Sequence, residues 1–141
     1  MTITLDSSVI VAALRNQEEK HEQCQSLLES ISDAQIIAIQ PSTVLSEVTR
    51  VIRRRTGYWR LAERVRELLE SIDTMNFVEP EARWSEMISD IAIKMEVGIM
   101  DAYVIQVAFE HNATFVSLDE EMMKKAEPYV KIRNVDRFLT E

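Results

Sequence analysis

The chain has 141 residues, with 16 Lys and Arg against 24 Asp and Glu, two Gly, two His and one Cys. Its length fits one domain, and a hydrophobic share of 46% beside 28% charged residues excludes wholesale disorder. Two glycines leave no Gly-rich phosphate loop, and the longest apolar run, Val9 to Leu14, falls far short of the ~18 residues of a membrane span.

In chain order, Thr2-Ile3-Thr4-Leu5 alternates and predicts a short strand leading into Asp6. Ser7 or Ser8 is expected to cap a helix through Arg15, and a second amphipathic helix to run from Glu18 to Ile31. Ala34 to Ile39 is a nearly continuous apolar run, the pattern of a strand covered on both faces. Pro41 and Ser42 open a helix to about Arg55, punctuated by Gly57, and a strongly charged helix follows from Tyr58 to Ile72. Asn76-Phe77-Val78 predicts a brief strand. A helix from Glu81 to about Val97 is expected to stop at Gly98 in a left-handed cap. Asp101 to His111 reads as a helix closed by Asn112, and Thr114 to Leu118 as a strand. Asp119 to Ala126 reads as a helix, and Val130-Lys131-Ile132 as a last strand. Strands separated by helices imply an α/β fold, because parallel strands need long crossovers. The expectation is a central parallel sheet of four or five strands flanked by helices, as one domain over residues 1–141.

The start of the chain lacks the basic stretch and cleavage site of a signal peptide, and Cys24 has no internal partner, so the expected compartment is the cytoplasm. His21 and Cys24 would share a helix face, but two ligands fall short of the usual four of structural zinc, and a polar helix surface is expected there. There is no Gly-x-Ser-x-Gly elbow either. Chemistry in this chain must rest mainly on carboxylates.

Four acids stand out. Ligands of open parallel sheets bind outside the carboxyl ends of the strands. Asp6 directly follows the first strand, Asp119 follows the Thr114–Leu118 strand, and Glu47 lies early in the helix leaving the second. Glu47 borders an inward stripe of Val44, Val48, Val51 and Ile52. Asp101 shares a helix face with Val104, Ile105 and Ala108, where an unpaired charge is costly. Singly, each acid reads as a cap or surface residue. Jointly they converge on one rim, where a close like-charge pair costs roughly 3–4 kcal/mol at an effective dielectric near 20. Oxygen ligands of this kind select a hard dication, Mg2+ or Mn2+.

These residues resemble the motifs of PIN-domain nucleases. Asp6-Ser7-Ser8-Val9-Ile10-Val11 resembles the opening motif, and Pro41 through Val48 the second, whose acid is Glu47. Met100-Asp101-Ala102 with Ala108 resembles the third. Phe115-Val116-Ser117-Leu118-Asp119 resembles the fourth, in which the family more often has Thr at the position of Ser117. Asn112 stands where many members have Gly. Length and layout look most like the VapC-type toxins of toxin–antitoxin pairs. The resemblance implies a metal-dependent ribonuclease with Asp6, Asp101 and Asp119 as metal ligands and Glu47 completing the cluster. Ser8 and Ser117 would orient carboxylates or waters. It also implies an RNA substrate, a cognate antitoxin and a homodimer. The alternative is a catalytically silent PIN-like module that binds RNA or protein. A haloacid-dehalogenase-like phosphatase is disfavoured, because it needs an acid where Ser8 stands.

A net charge of −8 is awkward for an RNA-binding enzyme. The basic residues are concentrated, however: residues 50–66 hold seven Arg against one acid, Glu63. Arg50, Arg53 and Arg54 are spaced to form one basic ridge on the helix that carries Glu47, and Tyr58 and Trp59 adjoin it as candidate stacking groups. A salt-bridged, solvated helix pair, or a dock for an acidic partner, reads equally well from this pattern.

Overall fold

A computed structural model describes residues 1–138; the last three residues of the expected domain, including the acidic end of the tail, lie outside the described residues. The chain alternates strands and helices: β1 (Thr2–Leu5), α1 (Ser7–Leu14), α2 (His21–Ser32), β2 (Ile37–Pro41), α3 (Ser42–Thr56), α4 (Trp59–Glu70), β3 (Met75–Val78), α5 (Ser85–Met95), α6 (Ile99–Glu110), β4 (Thr114–Val116) and α7 (Glu120–Ala126). The four strands form a parallel sheet in the order β3-β2-β1-β4. Val130–Ile132 is not a fifth strand. It contributes a single bridge, Ile132 to Phe115, because only Lys131 and Arg133 reach the backbone of Phe115 before the chain turns away.

The order of the strands decides where a site can form. The chain proceeds outward from β1 to β2 to β3, then crosses back through α5 and α6 to lay β4 on the other side of β1. The crossover direction therefore reverses between β1 and β4, and the loops leaving their carboxyl ends diverge to open a crevice. Leu5 pairs with Val116 in register, so the residues that follow, Asp6 and Ser117, leave the sheet side by side.

Both faces of the sheet are covered. Ile3, Leu5, Ala38, Phe115 and Val116 are buried beneath α1, α2 and α6, together with Val9, Ile10, Leu27, Ile31 and Ile105. Each fully buried aliphatic side chain contributes about 1.5–3 kcal/mol relative to exposure. The interior of α6 is buried nearly all round, from Ala102 through Ala108 with only Tyr103 partly open, and it packs against β1, β2 and β4. On α3 the expected stripe holds for Val44, Val48 and Ile52, whereas Val51 is half-buried.

Several local expectations are corrected. The cap of α1 is Asp6 rather than Ser7 or Ser8, with the Asp6 carboxylate accepting from the Ser8 N–H at 3.1 Å. Helix α2 begins at His21, because Lys20 takes a left-handed conformation (φ 60°) just before it. β2 begins at Ile37, after Ala34 has turned the chain at φ 61°. The 81–97 segment opens as a 3-10 turn over Ala82–Trp84 before α5. Gly98 does not close α5: Glu96 takes the left-handed position (φ 53°), and Gly98, at φ −66°, caps the start of α6. Gly57 and Asn112 do adopt left-handed φ, at 79° and 49°, at the ends of α3 and α6. Cys24 is fully buried in the core rather than on a polar surface, while the His21 ring sits 2.7 Å from the Ala12 carbonyl oxygen.

Candidate active site

Asp6 is the anchored member of the acid group. It is 6% exposed, and its backbone N–H donates to the Val116 carbonyl, extending the β1–β4 pairing by one residue. Its Oδ1 accepts from the Ser8 N–H and the Ser8 hydroxyl, and its Oδ2 accepts from the Ser117 hydroxyl. Both hydroxyls are themselves aimed by backbone. The Leu118 N–H donates to Ser8 Oγ at 3.3 Å, and the Asp119 N–H donates to Ser117 Oγ at 3.0 Å. A serine oxygen that accepts from a backbone N–H directs its own proton elsewhere, here onto Asp6. The Ser8 N–H, both serine hydroxyls and the Val9 backbone N–H thus hold the carboxylate in place.

The electrostatics of the group run against ionisation. Burial pushes the Asp6 carboxyl up to about 6, with the Ser117 and Ser8 hydrogen bonds pulling the other way and the charge of Asp101 adding to the rise. Asp101 is also raised, first by burial and then by the charges of Glu47 and Asp119. These influences are burial, hydrogen bonds and other carboxylates. Asp101 is thus the electrostatic hub: it feels Glu47 and Asp119, and Asp6 feels it.

Each acid is delivered by its own element. Asp101 is the third residue of α6, so it lies in the first turn, where the helix dipole favours negative charge. Its Oδ2 lies 3.7 Å from where a Cβ on Gly98 would sit, which places the carboxylate back over the helix start. Glu47 is half-buried in the second turn of α3. Asp119 is exposed and caps α7, accepting from the Met122 N–H at 3.0 Å. Among the described residues no three His, Cys, Asp or Glu side chains already clasp a common point. Asp6, whose position is set by two serines and two strands, is the fixed member of the group. By donor chemistry the group fits a hard dication: it is oxygen-only, and other carboxylates push Asp6 and Asp101 up.

Arg50, Arg53 and Arg54 are exposed on the half of α3 that leads away from the rim. Arg50 and Arg53 line a groove of about 340 Å3 between α3 and α4, and Arg54 does not. The groove also takes in Arg66 of α4, outside the ridge expected on α3. The spacing Trp59, Ala62, Glu63, Arg66 was the available signal, since it puts all four on one helical face. Cys24 lies near enough to Asp6 for that charge to contribute, behind burial, to a thiol raised to about 11.

A family model described as PIN domain matches residues 3–128. Among solved structures, VapC20 of Mycobacterium tuberculosis, a sarcin-ricin loop cleaving toxin, aligns at 18% identity and a TM-score of 0.74, covering 93% of this chain and 98% of its own. VapBC2 of Rickettsia felis, bound to a DNA fragment from its promoter, aligns at 16% identity and 0.70, covering 95% and 98%. FitAcB of Neisseria gonorrhoeae aligns at 18% and 0.68, covering 96% and 98%. At these identities the likeness is one of fold. No curated protein matches the chain by sequence.

Proposed function

Because the chain belongs to the PIN domain family, we propose that it is a divalent-metal-dependent endoribonuclease, the toxin of a toxin–antitoxin pair, acting as one domain over residues 1–141. The observation that carries this reading is the anchoring of Asp6. A buried carboxylate is held by Ser8 and Ser117 at the crevice between β1 and β4, with Asp101 adding its charge and only other acids acting on Asp101 in turn. A fold keeps such mutual repulsion where a cation relieves it.

In this reading Asp6, Asp101 and Asp119 hold Mg2+ or Mn2+, and Glu47 completes the negative pocket. When bound, the ion lowers the pKa of a coordinated water and offsets charge developing on the phosphate. Ser8 and Ser117 keep Asp6 in one rotamer, so its ligand position is set before the ion arrives. Asp101 stands in the first turn of α6, whose dipole favours negative charge, and Asp119 at the cap of α7. Structural neighbours crystallised with their antitoxins, VapB and FitA, and with DNA support a cognate antitoxin for this chain. The exposed Met100 side chain offers surface for a homodimer. Among the described residues no helix is long and apolar enough to cross a membrane, and we assign the protein to the cytoplasm.

The test is cleavage of labelled RNAs by the purified protein with Mn2+ or Mg2+, with EDTA, and with Asp6→Asn or Asp101→Asn. Metal-dependent cleavage abolished by either substitution is expected. Cleavage that both variants retain would reject the site, and a wild-type protein inert toward all RNAs would favour a silent binding module.

A further inference from the structure

A basic groove runs between α3 and α4, past Ser46, Arg50 and Arg53 on α3 and past Arg66 and Ala62 on α4. At 1.5 Å per residue, Ser46 to Arg53 spans roughly 10 Å. Trp59 shares the helix face of Ala62, Glu63 and Arg66, so its ring stands at the far end, 56% exposed, with the Arg60 guanidinium 5.2 Å from its centroid. Tyr58, beside it, is 70% exposed.

The charge here is available. Arg55 is paired with Glu18, and Arg66 lies 3.8 Å from both Glu63 and Glu70, contacts loose enough to exchange. Arg50 and Arg53 make no ion pair among the described residues, although the chain holds 24 acids. Free guanidinium groups along one wall suit phosphates, which they bind bidentately. An exposed aromatic at the end suits an unstacked base, whose π-face any aromatic can meet. In a chain of net charge −8, this strip is where a polyanion can approach without repulsion.

We propose that this groove is a binding track for single-stranded RNA, with phosphates on Arg66, Arg50 and Arg53 and a base stacked on Trp59. The assignment rests on the ribonuclease reading of the acid pocket, and it extends that reading by giving the substrate a second contact surface on α3 and α4.

The experiment measures binding of a fluorescent single-stranded RNA in EDTA, where no cleavage occurs, as a function of salt. Wild type is compared with Arg50→Ala/Arg53→Ala and with a control of equal charge change, Lys124→Ala/Lys131→Ala, on exposed parts of other elements. Single-strand contacts release about 0.7 counterion each, so the arginine variant should lower the slope of log Kd against log salt by about 1.4. The control should leave the slope unchanged. RNA should quench Trp59 emission, and Trp59→Phe should abolish the quenching, because Trp84 is buried. An arginine variant with unaltered affinity and slope overturns the track. So does a variant that keeps RNA affinity but loses binding to polyglutamate, which assigns the groove to an acidic protein. Arginine-dependent binding by a wild type that cleaves nothing would support the groove while refuting the nuclease.

Discussion

Ser117 and Asp6 are 111 residues apart in the chain, yet the Ser117 hydroxyl donates to Asp6 Oδ2 across the end of the β1–β4 pair. The contact exists because Leu5 and Val116 are in register, so both chains leave the sheet at the same level. The Asp119 N–H then fixes which way the hydroxyl points. One residue of slip between the strands would send Asp6 and Ser117 to opposite faces.

That geometry predicts the behaviour of substitutions at Ser117. Ser117→Thr keeps the hydroxyl and should retain cleavage within a few-fold. Ser117→Ala leaves Asp6 Oδ2 without its donor in a buried site and should lower kcat/KM roughly 10–100-fold, the usual cost of losing a group that orients a metal ligand. Equal activity in the two variants would show that the hydroxyl does not position Asp6.

Metal should stabilise the fold. At neutral pH the carboxylates of Asp6, Asp101, Glu47 and Asp119 repel one another, and an ion held at 100 times its Kd contributes about 2.7 kcal/mol, several degrees in Tm. Asp101→Asn should remove most of the Mn2+ response while raising the Tm of the metal-free protein. A Tm indifferent to Mg2+ and Mn2+ in the wild type would argue that no ion binds there.

The metal-free protein should also show a pH signature from Asp6. Its carboxyl rises from 3.8 to about 6 on folding, so between those values the folded state holds the proton that the unfolded state has released. Stability from this group is therefore complete below pH 3.8 and lost as pH rises through about 6, by roughly 3 kcal/mol in all. Urea unfolding of wild type and Asp6→Asn at pH 4.5 and 7.5 isolates the effect. The substitution should become more favourable relative to wild type at the higher pH, and a pH-independent difference would contradict the burial assigned to Asp6.

Gly57 sets the turn from α3 into α4 at φ 79°, and a Cβ there would meet nothing within 4 Å. Gly57→Ala should thus cost about 1 kcal/mol through backbone conformation alone, without a steric clash. Gly57→Asn should cost less, since Asn tolerates the left-handed region. Chemical denaturation ranks the three, and an Ala variant as stable as wild type would place the turn elsewhere in conformational space.

Much of the fold was legible because its signals are local. The alternation of Thr2–Leu5, the apolar run before Pro41 and the Val44–Ile52 stripe each lie within one element. The four acids stood out as candidates for a related reason: Asp6, Asp101 and Asp119 end a strand or open a helix, Glu47 follows one turn into α3, and in a parallel sheet those positions lie toward one rim. The Gly98 reading failed on competition between neighbours. A helix end and a helix start lie three residues apart, and Glu96 tolerates the left-handed position, which frees Gly98 to cap α6. The last strand failed because three apolar residues beside an edge do not reveal how many backbone groups the edge leaves open. Arg66 was missed because it faces Arg50 from another helix.

By itself, then, the order of residues determined most of the helices and strands, that the sheet is parallel, and which carboxylates are candidates for its rim, since each follows from spacing over a few residues. Only the tertiary structure decided that Asp6 is the buried and anchored acid, that Ser8 and Ser117 both spend their protons on it, and that Arg66 joins Arg50 and Arg53 in one groove. Those relations depend on the register of β1 against β4 and the packing of α3 on α4, which are set by the whole core and by no window of neighbouring residues.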